Sequence, residues 1–356
     1  MPRLSAVGIS GFQAGEDVKK AIFKMGGDMI SSGWDILRLA SSYRQAKILL
    51  AANEVGLFDA FARGPLTTEE AGQATGLNPR ALEIVLPALV ALGLFQKEGE
   101  LFSLAPISKA HLLKNSEHPL QDILKHTNDT VKSWANLEHT LVTGKPKEGE
   151  FLGGDLTAIE RFVRAMDDVA RLIAKEVADA IEWEGVESIL DLGGGPGTYA
   201  LAFKEKRPSM RVTLFDLPRT LKVTRRILEE KGGARLVDIV EGDCAEDDFL
   251  GPYDIVWVSH LFHARPKPWV EHVLQKIHAA LRPKGRVIIQ DYVLEQDKTR
   301  PLDACLFSVH MLAVTQEGRC YSFEEYATML ARTGFKEAFL KPDVGKGAGL
   351  LVARKS

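Results

Sequence analysis

Four aspartates, a serine and two histidines stand where chemistry could be done: Asp191, Asp216, Asp243, Ser259, His260, His263 and Asp291, each at or just after the end of a short apolar run. The first run reads SILDLGGGPG over residues 188–197, so an acid is followed directly by three glycines, a proline and a further glycine. Glycine permits a tight turn in which a ligand approaches bare backbone, and a helix starting there presents unpaired N–H groups beside it. Asp216, in TLFDLP, lies about as far downstream as an acid that accepts from vicinal ribose hydroxyls. Asp243, in EGDC, is placed to accept from an adenine amino group. Any one of these acids alone is more often a cap or a turn residue, whereas three in register point to a nucleoside-like ligand. The glycine spacing departs from the nicotinamide type, which needs glycine where this chain has Thr198. His260 and His263 are three apart, but no further ligands lie nearby in sequence, and no metal is expected.

Such residues need a scaffold that brings strand ends together. Ile189, Leu190 and Leu192 read as a buried strand, and Thr198 to Lys206 as a helix with Ala200, Leu201, Ala202 and Phe203 inward. Further strands are expected over 211–215, 236–241, 253–258 and 285–294, and helices over 221–231, 269–281 and 323–333. Residues 335–340 and 349–354 read as a closing pair of edge strands. This alternation predicts an α/β fold: a mostly parallel sheet covered on both faces, with ligands at the carboxyl ends of its strands.

Ahead of that region the pattern is helical. Tyr43 to Val55 is amphipathic, with Ala46, Leu49, Leu50 and Val55 inward, and Leu57, Phe58 and Phe61 pack behind it. Thr67 with Glu70 forms a capping box for a helix ending near Gly76. Asn78-Pro79 opens another, with Leu82, Val85, Leu86, Leu89, Val90 and Leu92 as its stripe. Residues 94–98 and 101–104 make a hairpin, completing a winged helix over 36–110. Its charges are nearly balanced, and the helix that would read DNA carries only Arg80 and Glu83, which disfavours nucleic acid. Ser108 to Gly144 continues helical with Trp134, Leu137 and Leu141 on one face, and Lys145 to Gly154 is a charged loop. Ile159 to Ala180 is a long helix with Phe162, Met166, Val169 and Ile173 in its stripe. Residues 111–184 are thus a helical linker, and 185–356 the ligand-binding domain. Residues 1–35 are an extension, with a helix over Val18 to Ile30 kinked at Gly26-Gly27.

With 356 residues, 45% hydrophobic and 26% charged, the chain has ample material for a core. A net charge of −3 gives no pull toward nucleic acid or anionic membrane. Cys244, Cys305 and Cys320 suit neither a disulfide framework nor a zinc site, so a reduced, cytoplasmic setting is expected. No apolar run is long enough to span a bilayer, and the first residues lack an apolar signal core.

Taken together, the winged helix, the FVRAM segment, DLGGGPG, FDLP, EGD and the stretch from Asp254 to Leu281 resemble a known family over about residues 40–354. It is the class I S-adenosylmethionine-dependent O-methyltransferases that include plant caffeic-acid-type and chalcone-type enzymes, hydroxyindole enzymes and bacterial antibiotic-tailoring enzymes. The resemblance implies a Rossmann-like seven-stranded methyltransferase sheet with an N-terminal, mainly α winged-helix dimerisation domain. It also implies a homodimer in which the first domain lends residues to the partner's pocket. S-adenosylmethionine would be held by Met166, Asp191, Gly193, Gly195, Asp216, Leu217, Asp243, Cys244 and Ser259. The family's general base falls on His263 and its first flanking acid on Asp291. Trp134, Phe162, Phe307, His310, Met311 and Thr315 would line a pocket for a small, largely apolar, aromatic acceptor.

The chain also departs from the family. Ala264-Arg265 replaces the Asp-Trp that usually follows the histidine, Ser259 stands where a lysine is frequent, and Asp291 is shorter than the usual glutamate. Cys320 occupies the position of the second flanking acid, with Glu317 near in sequence as a substitute. These changes leave open a cofactor-binding relative with changed chemistry, methylating carbon or nitrogen or not methylating; the winged helix leaves a DNA-binding regulator as a further alternative, disfavoured by its charge.

Overall fold

The computed structural model describes residues 30–147 and 155–356. Apart from Ile30, the helix expected over Val18 to Ile30 lies outside the described residues, as does most of the loop from Lys145 to Gly154. The chain divides into two compact units at Tyr43. In the first, helix α1 (Gly33–Ser41) is opened by a capping box between Ser32 and Asp35.

The second unit begins with a helical layer: α2 (Tyr43–Glu54), α3 (Leu57–Ala60), α4 (Thr68–Thr75) and α5 (Pro79–Ala91), then the antiparallel hairpin β1 (Phe95–Glu98) and β2 (Leu101–Leu104). The Thr67–Glu70 capping box forms, and Gly76 ends α4 in a left-handed conformation. Asn78 caps α5, whose first residue is Pro79. Leu57, Phe58, Phe61, Leu82, Leu86 and Leu89 close one core with Phe95 and Phe102 of the hairpin. Ala46 and Val55 differ from expectation and are exposed, because α2 buries Leu50, Ala52 and Asn53 instead.

The helix expected without a break from Ser108 to Gly144 is three: α6 (Pro106–His111), α7 (Gln121–Trp134) and α8 (Leu137–Thr143). Pro119 interrupts the first gap, consistent with the bias of the residue before proline away from helix. Leu141 is exposed. Helix α9 (Leu156–Ala180) packs on α7 and on the first two helices of the sheet domain. Its buried face differs from the expected stripe. Val169 is exposed, while Asp167 and Asp168 are buried with charged or polar partners. Asp167 meets Thr198 and Lys231, and Asp168 meets Arg171. An apolar-periodicity argument cannot see a buried acid whose partner lies on another helix.

The sheet domain follows with β3 (Ser188–Leu192), α10 (Thr198–Lys206), β4 (Arg211–Asp216), α11 (Pro218–Glu230), β5 (Asp238–Glu241), β6 (Tyr253–Ser259), α12 (Lys267–Ala280) and β7 (Leu281–Asp291). After β7 come β8 (Val293–Leu294), α13 (Leu302–Val314), β9 (Tyr321–Ser322), α14 (Phe323–Arg332), β10 (Phe335–Lys341) and β11 (Gly349–Lys355). The seven-stranded order is β10-β11-β7-β6-β3-β4-β5. The five strands from β3 to β7 run parallel, and β10 and β11 are antiparallel. Every residue of β3 is buried, as a strand covered on both faces requires. Ile189 joins one core while Leu190 and Leu192 join the other, which follows from the alternation of side chains along a strand.

The expected pair of edge strands is half right. β10 is an edge, but β11 is inserted between it and β7, where it is shielded on both sides. The strand expected over 285–294 starts earlier and ends at Asp291, and Val293–Leu294 pairs instead with Tyr321–Ser322. Among the described residues no helix is long and apolar enough to cross a membrane.

Candidate active site

The glycine turn between β3 and α10 is shaped by what a side chain would strike. A Cβ on Gly194 would fall 2.6 Å from Leu214 Cγ and 2.9 Å from Asp191 Cγ. Gly195 differs: it has φ +50°, and no atom lies within 4 Å of where its Cβ would be. Its N–H donates to Asp216 Oδ2 at 2.8 Å, and Leu217 N–H donates to Asp216 Oδ1 at 2.7 Å. Two backbone donors thus orient the acid at the end of β4. Burial raises the Asp216 carboxyl above its ordinary value against the pull of these bonds.

Asp191 lies under the turn, 1% exposed, and its Oδ2 has no hydrogen-bond partner among the described residues. Burial first, and then the neighbouring Asp216, push its carboxyl up to about 8. A buried, half-satisfied acid beside an open glycine backbone fits a ligand that brings its own cation or donor. The donor set therefore suits the amino-acid and nucleoside ends of S-adenosylmethionine.

The remaining expected cofactor residues are less committed. Asp243 is exposed, and its Oδ1 accepts from Ala245 N–H at 2.9 Å, as a turn residue does. Cys244 is half-buried, with its thiol pushed up to about 12 by burial and then by Asp243 and Asp216. Ser259 Oγ donates to Gln290 Oε1 at 2.9 Å. Met166 is half-buried on α9, one residue before the Asp167 that bonds Thr198 at the start of α10.

On the other side of β6 lies a second acid. His263 sits in a single 3-10 turn, Phe262–Ala264, that follows β6. Its Nδ1 is 2.7 Å from Asp291 Oδ1, and both residues are buried. Asp291 also accepts from Tyr292 N–H at 2.8 Å and, on Oδ2, from the Tyr326 hydroxyl at 2.8 Å. Burial alone would raise this carboxyl. The charge and hydrogen bond of His263, the nearby His260 and the Tyr326 donor outweigh it and hold Asp291 below the usual range. The Nδ1 proton of His263 therefore points at an anion, leaving Nε2 as the acceptor. The backbone carbonyl of His263 accepts from Arg319 N–H at 2.7 Å, which ties the turn to the segment after α13.

Cys320, at the position of the second flanking acid, is buried, and burial with the Asp291 charge raises its thiol well above the ordinary value. Glu317 is exposed. Tyr326, which the sequence reading did not single out, is the group on the second oxygen of Asp291. Among the described residues His260, His263 and Asp291 bring ligand-capable atoms within 4.8 Å of one another. The hydrogen bond between His263 Nδ1 and Asp291 Oδ1 already engages two of these groups with each other.

A cavity of about 300 Å³ opens beside this pair, lined by Trp134, Tyr292, Leu306, Phe307 and His310, with Asp303 and Lys346 also on its wall. The Phe307 ring lies edge-on to His263 at 4.8 Å and stacks on Tyr292 at 4.2 Å. Trp134 Nε1 donates to His310 Nδ1 at 3.0 Å. Of the expected pocket residues, Trp134, Phe307 and His310 meet here. Met311 packs with Ala313 and Val314, and Phe162 lies edge-on to His126. The Thr315 hydroxyl closes the end of α13, donating to Met311 O and accepting from Gly318 N–H. Helix α13 carries half of this wall, yet its run LDACLFSVHMLAV is mostly apolar, with Asp303, Ser308 and His310 scattered through it, and shows no helical period. Tyr292 follows Asp291 directly, and its place at the strand end was the one available signal.

Comparison with known proteins places this geometry in context. Residues 128–336 match the O-methyltransferase domain, and residues 37–114 match the O-methyltransferase dimerisation domain. The chain is 31% identical to the tetracenomycin polyketide synthesis 8-O-methyl transferase TcmO of Streptomyces glaucescens, over 85% of this chain and 91% of that protein. It is 29% identical to the N,N-dimethyltransferase OxyT of Streptomyces rimosus, over 86% of this chain and 92% of that protein. Its fold is that of human N-acetylserotonin methyltransferase solved with its bound S-adenosylmethionine, with a TM-score of 0.84 at 23% identity, covering 93% of this chain and 99% of that one.

Proposed function

The chain belongs to the O-methyltransferase family and uses S-adenosylmethionine, and from that premise we propose that it methylates a hydroxyl of a small aromatic molecule with His263 as general base. The observation that carries this reading is the buried His263–Asp291 pair, 2.7 Å apart, beside an aromatic cavity. When bound, the cofactor supplies an electrophilic methyl group on a sulfonium. Asp191, Gly193, Gly195, Asp216 and Leu217 would hold it, with Met166, Asp243, Cys244 and Ser259 around them. Asp191 would take the amino group, since its free oxygen is the acceptor that lacks a donor.

The remaining chemistry falls to the chain's own residues. A phenol has a pKa near ~10, so it needs help to become nucleophilic at neutral pH. His263 Nε2 accepts the hydroxyl proton, while Nδ1–H stays on Asp291. The Asp291 anion fixes the tautomer and offsets the positive charge the ring acquires. The aromatic wall of Trp134, Tyr292, Phe307 and His310 would lay a flat acceptor beside the base. The winged-helix domain over 36–110 serves a homodimer in this reading, which light scattering would check.

Replacing His263 by alanine should lower kcat roughly a hundred- to ten-thousand-fold while calorimetric binding of S-adenosylmethionine survives. Near-wild-type turnover in that variant would sink the assignment. A second reading, transfer to nitrogen, draws on the similarity to OxyT and on Ala264-Arg265 beside the histidine. An amine with a free lone pair needs no base to become nucleophilic, so in that case His263→Ala keeps most of its turnover and the product carries N-methyl.

A further inference from the structure

His260 is a second imidazole at the same strand end, and the pair described above does not use it. It follows β6 directly and adopts a left-handed backbone with φ +51°, held by its N–H donating to Gln290 O at 2.9 Å. Its Nδ1 is 3.9 Å from Asp291 Oδ1, too far for a hydrogen bond. No hydrogen bond engages either ring nitrogen among the described residues, and the side chain keeps 29% of its surface exposed. Its ring centroid is 5.8 Å from that of His263 and 5.4 Å from that of Tyr292. Tyr292 and Phe307 are themselves stacked in the cavity wall, and Phe307 is the ring that meets His263. One stacked aromatic pair therefore has an imidazole against each member: His263 with one ring nitrogen engaged by Asp291, and His260 with neither engaged among the described residues.

We propose that His260 is a specificity-determining residue that binds a second oxygen on the acceptor, so that the preferred substrate is an aromatic ring system with two neighbouring oxygens, ortho or peri, one of which is methylated. This rests on the reading of His263 as base. Two such oxygens lie within one hydrogen-bond length of each other, about 2.5–3.0 Å. That spacing lets each meet one ring nitrogen of two imidazoles whose centroids are 5.8 Å apart. Burial, opposed by the Asp291 charge and aided by His263, lowers His260 to about 4, so the neutral ring offers both a donor and an acceptor to a hydroxyl or a carbonyl. A ring with a single oxygen covers His260 when it binds without giving it a partner, and that unmade bond counts against such an acceptor.

The test compares kcat/KM for catechol against phenol, and for a peri-dihydroxynaphthalene against the corresponding naphthol, in wild type, His260→Ala and His260→Gln. The wild-type enzyme should prefer at least one of the dioxygenated acceptors by about tenfold or more. In His260→Ala the ratio should fall toward the factor of two that a second hydroxyl gives statistically, and in His260→Gln, whose amide still donates and accepts, much of it should return. A wild-type ratio near two, or an undiminished ratio in His260→Ala, overturns the inference while leaving His263 as base. Wild-type turnover of both acceptors by His263→Ala removes the base reading, and this inference with it. If the test acceptors turn over too slowly, their binding to protein loaded with S-adenosylhomocysteine, followed by tryptophan fluorescence, reads the same ratio. Equal binding of the one-oxygen and two-oxygen rings overturns the inference there too.

Discussion

Asp191 and Asp291 end two strands of one sheet, with a single strand between them, and both are at most 1% exposed. Their states are opposite. Asp191 has one oxygen without a partner among the described residues and is pushed up to about 8. Asp291 takes donors from His263, Tyr292 and Tyr326 and is held below the ordinary carboxylate range. Burial is common to both, so burial does not decide the charge. The number of donors and the nearest charge do: an acid beside Asp191, an imidazole beside Asp291. One carboxyl is left unsatisfied until a cation arrives, and the other stays anionic to support a base.

Exchanging each acid for its amide sharpens this contrast. Asp291→Asn removes the anion behind His263 and frees its ring to adopt the wrong tautomer. Its kcat should fall roughly a hundred- to ten-thousand-fold, with cofactor binding retained by calorimetry. A loss of less than about threefold would mean that the pair only packs.

Tyr326→Phe is the milder break on the same side. It removes one donor from the buried carboxylate, a charged hydrogen bond contributing about 1.5–3 kcal/mol. Turnover should drop by about tenfold. Because a donor favours the ionised form, its loss raises Asp291, and the acid limb of the rate–pH profile should move to higher pH. An unmoved limb would show Tyr326 to be filling space alone.

Asp191→Asn should have the smallest effect on catalysis and an inverse effect on stability. Cofactor affinity should weaken by roughly tenfold, read by calorimetry. For ligand-free protein the sign follows from the raised carboxyl. The folded state holds the proton more tightly than the unfolded chain, so the stability this group contributes is complete below the ordinary value of 3.8 and is lost as pH rises through about 8. Wild type should therefore lose more melting temperature than Asp191→Asn between about pH 6 and about pH 8. Parallel curves would mean that Asp191 is already paired in the free protein.

What could be read along the chain was what local rules govern. The Thr67–Glu70 capping box, the Asn78 cap with Pro79, and the hairpin of residues 95–104 depend on neighbours a few residues apart, and they stand where expected. The alternation of strands and helices also placed every acid of the glycine side at a strand end. The failures share a different cause. Val169 was read as inward because apolar residues recur at its spacing, yet it is exposed, while Asp167 and Asp168 beside it take buried positions with partners on their own and other segments. Helix α13 escaped because a mostly apolar run with its polar residues scattered has no period to detect. β11 was read as an edge because nothing in a strand's own residues says on which side it will be paired.

The composition and order of residues by themselves determined a parallel sheet, a glycine turn and the strand ends at which polar groups collect, since these follow from side-chain period and backbone permissiveness. The tertiary structure alone decided which groups meet: Tyr326 reaching Asp291 across 35 positions, the His260 ring left without a hydrogen-bond partner among the described residues, and two identical carboxyls given opposite charge preferences. Those outcomes depend on distances of a few ångströms between segments far apart in the chain, and electrostatic and hydrogen-bond energies vary steeply over such distances.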